Sequence, residues 1–139
     1  WRLGLIVSLE MINPESWSAP KGYSNGVVAP AGGRLVFVAG QIGWDANQKL
    51  VGEDFLSQFR QALDNVVSVM RAAGGSPEDL ARLTIYVVDK EEYLSGIREV
   101  GAIYRDIMGK HFPAMALVVV KDLLEPGARV EIEGTGVLS

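Results

Sequence analysis

The chain has 139 residues and a mass of 15.0 kDa, a size that fits a single domain able to bury a core without disulfides. It contains no cysteine and one histidine, which excludes disulfides, thiolate zinc sites and a histidine-rich metal site within one subunit. Its formal net charge of -4 supplies no basic surface for phosphate groups, so nucleic acid is not an expected partner.

The first ten residues are mildly apolar and too few to span a bilayer. They lack the charged region and small-residue cleavage site of a signal peptide. Met11 begins a run, Ile12-Asn13-Pro14-Glu15, that is typical of a natural protein start. We therefore predict that residues 1–10 are an upstream or expression-derived extension and that residues 11–139 form one domain. We also expect a cytoplasmic protein without a membrane partner.

The next segments have the pattern of strands. Residues 26–29 and 34–39 flank Pro30-Ala31-Gly32-Gly33, a turn signal that favours a hairpin between them. Farther along, residues 83–88 are rich in β-branched and aromatic side chains, which predicts another strand.

Two segments have the 3.6-residue period of an amphipathic helix. The first covers residues 54–73, and Gly74-Gly75 should end it with a left-handed cap. The second should begin after Asp89, with Glu92 completing a capping box, and end at Gly109. The apolar stripe of this second helix comprises Tyr93, Ile97, Val100, Tyr104 and Ile107.

Two more strands follow. Residues 115–120 are apolar at every position, which is typical of a strand covered on both faces. Residues 130–137 alternate between apolar and polar side chains. Since two helices can cover one face of a sheet only, the other face needs a different cover, and self-association is the simplest one.

Five blocks in this order resemble the RidA (YjgF) family over residues 12–138. The blocks are Gly40-Gln41-Ile42, residues 58–66 (Gln-Phe-Arg-Gln-Ala-Leu-Asp-Asn-Val), Ala72-Ala73-Gly74, Phe112-Pro113-Ala114 and Val130-Glu131-Ile132-Glu133. The resemblance implies an α+β fold similar to barrel-type chorismate mutase, with a mixed sheet, two helices on one face and a homotrimeric assembly. It also implies small-molecule clefts between subunits and hydrolysis of reactive imines and enamines, such as 2-iminopropanoate, without a cofactor or metal.

The chemistry of such a deaminase needs a fixed cation for the substrate carboxylate and a positioned water for the imine carbon. By resemblance, the cation is an arginine directly after Phe-Pro-Ala, where this chain has Met115. A thioether cannot pair with a carboxylate. Two further departures are Ala39, where the family often has serine, and Leu117, where it has cysteine.

Other positions match the family. Glu131 corresponds to the glutamate that positions water, and Tyr23 to the tyrosine that borders the cleft. Together with Gly40 and Ala116, these residues complete the candidate site: Glu131 as the catalytic residue, and Tyr23, Ala39, Gly40, Met115, Ala116 and Leu117 as ligand-binding residues. Alternatively, Met115 and Leu117 are core residues and Glu131 belongs to a solvated strand face.

Three functions remain open. The first is a RidA-family protein that binds or hydrolyses a metabolite other than an α-imino acid. The second is a deaminase that takes its cation from elsewhere, with Arg98 favoured over Arg34, Lys121 and Arg129, or from a neighbouring subunit. The third is a non-catalytic sensor or interaction protein. The acidic charge and single histidine argue against RNA cleavage.

Overall fold

The computed structural model describes residues 8–139, and residues 1–7 lie outside the described part. The strands are β1 (Glu10–Ile12), β2 (Gly26–Val28), β3 (Arg34–Ile42), β4 (Leu80–Val87), β5 (Ala114–Val119) and β6 (Val130–Leu138). The helices are α1 (Phe55–Ala72), α2 (Lys90–Ser95) and α3 (Ile97–Met108), and a 3-10 turn, Pro77–Asp79, precedes β4.

The main sheet has four strands in the order β3-β6-β4-β5. The β3–β6 and β6–β4 pairs are antiparallel, and the β4–β5 pair is parallel. The helices cover one face of this sheet, where Leu83, Ile85 and Ile132 are buried under the apolar side of α1. The predicted α+β fold with a mixed sheet and helices on one face is confirmed. No helix between residues 8 and 139 is long and apolar enough to cross a membrane.

The predicted hairpin between β2 and β3 is wrong. The turn forms, since Gly33 N–H donates to Pro30 O at 3.4 Å, but β2 pairs with β1 and β3 pairs with β6. A turn signal specifies a chain reversal and not the strand's partner, and the long β3 pairs with the equally long β6. Glu10 pairs with Val28, so β1 begins inside the proposed extension. That residues 1–10 are an extension stays a prediction.

The first helix forms as predicted. The Asp54 carboxylate accepts from Ser57 N–H at 2.9 Å, which caps α1 and lowers the pKa of Asp54. At the other end, Gly74 has a φ of 93°, the left-handed conformation that glycine adopts at low cost.

The second predicted helix is divided at Gly96 into α2 and α3. The Asp89 side chain caps α2 by accepting from the N–H groups of Glu91 and Glu92. The predicted capping box also requires the Glu92 carboxylate to accept from the backbone N–H of Asp89, and this part of the prediction is wrong. The Glu92 carboxylate accepts from Arg129 Nε at 2.6 Å instead. The end of α3 at Gly109, with a φ of 65°, is confirmed.

Strand β5 lies at the edge of the sheet, and its residues are half-buried or exposed. The expectation that it is covered on both faces is therefore wrong for a single subunit. The sheet face opposite the helices, called here the bare face, is apolar in part: Phe37 is 74% exposed and Leu35 is 59% exposed. Apolar groups of this size on an open face are typical of a surface that another chain covers.

Gln58 of α1 is fully buried, with 0% exposure. Its Nε2 donates to Gly52 O at 2.9 Å and to Gly127 O at 3.0 Å, and its Oε1 accepts from Arg129 N–H at 2.8 Å. This amide thus joins α1 to the segment before it and to the segment that leads into β6. Gly43 packs directly on the backbone of Gln58 and leaves no room for a Cβ atom.

We expect Gln58→Ala to lower the free energy of unfolding by about 2–4 kcal/mol, because it leaves two carbonyls and one N–H without partners. Urea denaturation followed by circular dichroism measures the change. The matched control is Ser68→Ala on the exposed side of α1, which should change stability by less than about 0.5 kcal/mol. Equal effects of the two substitutions would contradict the assigned role of Gln58.

Candidate functional site

A cavity of about 570 Å³ opens between α3 and β5, and we call it the α3–β5 cavity. Most of its lining is apolar or aromatic. The lining residues include Ile97, Val100, Gly101, Tyr104 and Arg105 of α3, Met115 and Leu117 of β5, and Lys21, Gly22 and Tyr23 of the segment before β2.

Strand β5 directs Met115 and Leu117 toward the helices. Met115 is paired with Leu83 and Leu117 with Ile85, and both partners are buried under the helices. Because paired residues of neighbouring strands share a face, Met115 and Leu117 lie on the helix side. They pack against the core and also line the cavity, and their role in ligand binding stays a prediction.

The segment that carries Tyr23 lies along the free edge of β5. Ser24 forms a parallel bridge with Ala114, and its N–H donates to Pro113 O at 3.0 Å. Its hydroxyl donates to Phe112 O at 2.5 Å. These bonds hold Tyr23 at the cavity, so the structure brings Tyr23 together with Met115.

Glu131 lies on the bare face instead. It is paired with Tyr86 in the ladder between β6 and β4, one residue before the buried Ile132. A Cβ atom at position 40 would collide with the Glu131 carboxylate, so a larger residue there would displace this carboxylate from its present position. Ala39 precedes Gly40 on the exposed edge of β3.

Ala116 shares the bare face with Glu131, because it is paired with Thr84, which lies opposite Glu133. The candidate residues therefore form two groups on opposite faces of the sheet. Glu131, Gly40 and Ala116 lie on the bare face, and Tyr23 and Met115 lie on the helix side. Within one subunit, the Glu131 carboxylate does not face the α3–β5 cavity.

The two carboxylates of β6 differ in their partners. Tyr86 Oη donates to Glu133 Oε1 at 2.5 Å, and this hydrogen bond raises the pKa of Tyr86. The Glu131 side chain has no hydrogen-bond partner among residues 8–139. Of the two, Glu131 is thus the carboxylate whose oxygens accept no hydrogen bond from another described side chain.

The cations of the cavity are not those that the sequence favoured. Of the four arginines and lysines proposed as a relocated cation, none lines the α3–β5 cavity, and Arg129 is paired with Glu92. The cavity is instead lined by Arg105 and Lys21, which the sequence analysis missed. The sequence contained one indication of this cavity. Gly101, one helical turn before Arg105, has no side chain and so interrupts the apolar stripe of the helix, which leaves space beside it.

Tyr104 has a structural role in this cavity. Burial raises its pKa, and its hydroxyl donates to His111 O at 2.6 Å, so it is not available as an acid or base. No group of three histidine or carboxylate side chains within residues 8–139 is arranged to hold a metal ion. The α3–β5 cavity thus offers apolar contacts, hydroxyl groups and the cations Arg105 and Lys21. The Glu131 carboxylate lies on the opposite face of the sheet.

Comparison with known proteins agrees with this architecture. Residues 15–138 match the family model described as Endoribonuclease L-PSP. A RutC family protein from Pyrococcus horikoshii is 32% identical, covering 82% of this chain and 86% of that protein. A 2-iminobutanoate/2-iminopropanoate deaminase from Salmonella typhimurium is 33% identical, covering 76% of this chain and 80% of the relative.

A solved structure from Yersinia pestis, described as a Rid family protein of unknown function, has a TM-score of 0.83 and 36% identity. The match covers 94% of this chain and 99% of that one. With the matched family model, these similarities show that the chain belongs to the RidA (YjgF) family, whose model carries the name Endoribonuclease L-PSP.

Proposed function

We propose that this chain is a RidA-family protein that binds a small metabolite in clefts between subunits and hydrolyses an imine or enamine without an α-carboxylate. The position of Met115 in an apolar cavity carries the proposal, because the family's substrate-binding arginine is expected there. The relative from Salmonella typhimurium, a 2-iminobutanoate/2-iminopropanoate deaminase, supports the reaction class.

The proposed catalytic step uses Glu131. Its carboxylate accepts a proton from water as the water oxygen attacks the imine carbon, and it returns that proton to nitrogen to give a carbinolamine. The hydroxyl proton of the carbinolamine then passes to nitrogen, the C–N bond breaks, and ammonia leaves as the carbonyl product forms. This step needs no metal or redox cofactor. The bare face presents Glu131 to solvent in the single subunit, so a second subunit must bring its own cavity to this carboxylate.

The proposed assembly is a homotrimer in which the bare faces close together. This would cover Phe37 and Leu35 and would place the free edge of β5 at a subunit boundary. In the proposed cleft, one subunit supplies Met115, Leu117 and Tyr23. The neighbouring subunit supplies Glu131 and Gly40.

We expect the wild-type chain to release ammonia from freshly generated 2-iminopropanoate at least about 100-fold more slowly than the Salmonella typhimurium relative. The reason is that a bidentate guanidinium–carboxylate contact is missing. Met115→Arg should raise this rate, and Met115→Leu, which adds no charge, should not. A wild-type rate equal to that of the relative would contradict the proposal.

A neutral imine, generated from 2-phenylethylamine by an amine oxidase, tests the role of Glu131. We expect Glu131→Gln to reduce protein-dependent ammonia release by about 10²–10⁴-fold, since the amide cannot accept a proton. Glu133→Gln is the matched control, because Tyr86 already occupies that carboxylate, and its effect should be small. If Glu131→Gln keeps full activity, Glu131 is not the catalytic residue, and if the wild-type protein itself releases no ammonia above the uncatalysed rate, the protein is a binding module.

Sedimentation equilibrium tests the assembly. We expect a species of about 45 kDa, three times the subunit mass of 15.0 kDa. Phe37→Asp should convert it to a monomer, because a charge would be buried between apolar faces. Val69→Asp, on the helix side and 37% exposed, should leave the assembly unchanged. A wild-type monomer would refute the intersubunit cleft.

A further inference from the structure

We propose that the ligand of the α3–β5 cavity is an amphipathic organic acid whose apolar body contacts Met115 and Leu117 and whose anionic group binds Arg105, a cation that lines the cavity together with Lys21. This inference rests on the proposed function, since it takes the same cavity as the ligand site. It adds the chemical class of the ligand: an acid whose anionic group is held from the helix wall and not from β5.

The first observation is the direction of Arg105. It lies four residues after Gly101 on the side of α3 that lines the cavity, because residues four apart share a helix face. A Cβ atom at position 101 would be 3.4 Å from Arg105 Nη1. The Arg105 guanidinium thus lies over Gly101, along the cavity wall. A larger side chain at position 101 would occupy the same space.

The second observation is the charge balance. The cavity lining contains Arg105 and Lys21 and no aspartate or glutamate. Within residues 8–139, neither cation has a carboxylate at ion-pairing distance, whereas Arg60 and Arg129 are paired with Asp106 and Glu92. Two cations without counter-charges at an apolar cavity are complementary to a ligand with an apolar body and an anionic end.

The third observation is size. From Ile97 to Arg105 the cavity wall formed by α3 extends about 12 Å, at a rise of roughly 1.5 Å per residue. A volume of about 570 Å³ falls in the range of sites that hold ligands much larger than a three-carbon acid. The ligand therefore has an apolar part that is larger than that of 2-iminopropanoate.

Arg105 also lies in the last turn of α3, where a cation is favoured by the helix dipole. That role alone predicts an effect of Arg105 on stability and no preference of the cavity for anions. Comparing an acid with its uncharged amide separates the two roles.

The experiment is calorimetric titration of the intact protein with 4-phenylbutyrate, 4-phenylbutyramide and acetate. We expect 4-phenylbutyrate to bind about tenfold more tightly than its amide, and acetate to bind far more weakly than either. Arg105→Gln should remove most of the difference between acid and amide. Arg98→Gln, an exposed residue of the same helix outside the cavity lining, should preserve it. Higher salt should weaken binding of the acid only.

Equal binding of acid and amide to the wild-type protein would overturn this inference and leave the cavity as a ligand site. An unchanged preference for the acid in Arg105→Gln would also overturn it. If neither aromatic compound binds, and Leu117→Arg has no effect on hydrolysis of the neutral imine, the proposed function fails together with the inference.

Discussion

The structure depends on one buried amide. Gln58 holds the backbone of residue 129 by its Oε1 and the carbonyls of residues 52 and 127 by its Nε2. The Arg129 side chain is held from the other direction by Glu92 of α2. Residue 129 immediately precedes β6, so these bonds fix how that strand enters the sheet. The face on which Glu131 lies follows from them, since side chains alternate along a strand.

Periodicity and capping residues specified the local structure well. The stripe of α1, its cap at Asp54 and the glycines that end the helices could be predicted because each depends on neighbours in the chain. Strand pairing depends on distant residues, and so the turn at Pro30 predicted the wrong partner for β3. The break at Gly96 was missed because the apolar stripe continues across it.

The candidate site could be predicted only in part. Alternation along a strand shows which residues of β5, or of β6, share a face. Whether a residue of β5 lies on the same face of the sheet as a residue of β6 follows only from the pairing of each strand with β4. Sequence matching therefore grouped Met115 with Glu131 and did not show that the sheet separates them. Arg105 was missed because it is polar and lies beside the stripe, where a solvated helix face is the ordinary expectation.

The separation of Met115 and Glu131 by the thickness of a sheet has a genetic consequence in the proposed trimer. In that assembly each subunit contributes Met115 to one cleft and Glu131 to a different cleft. A substitution at position 115 therefore damages one of these clefts, and a substitution at position 131 damages the other. Two inactive alleles of these kinds, expressed together, would form mixed trimers in which some clefts receive both intact halves. Such interallelic complementation would distinguish a shared site from one contained in a single chain.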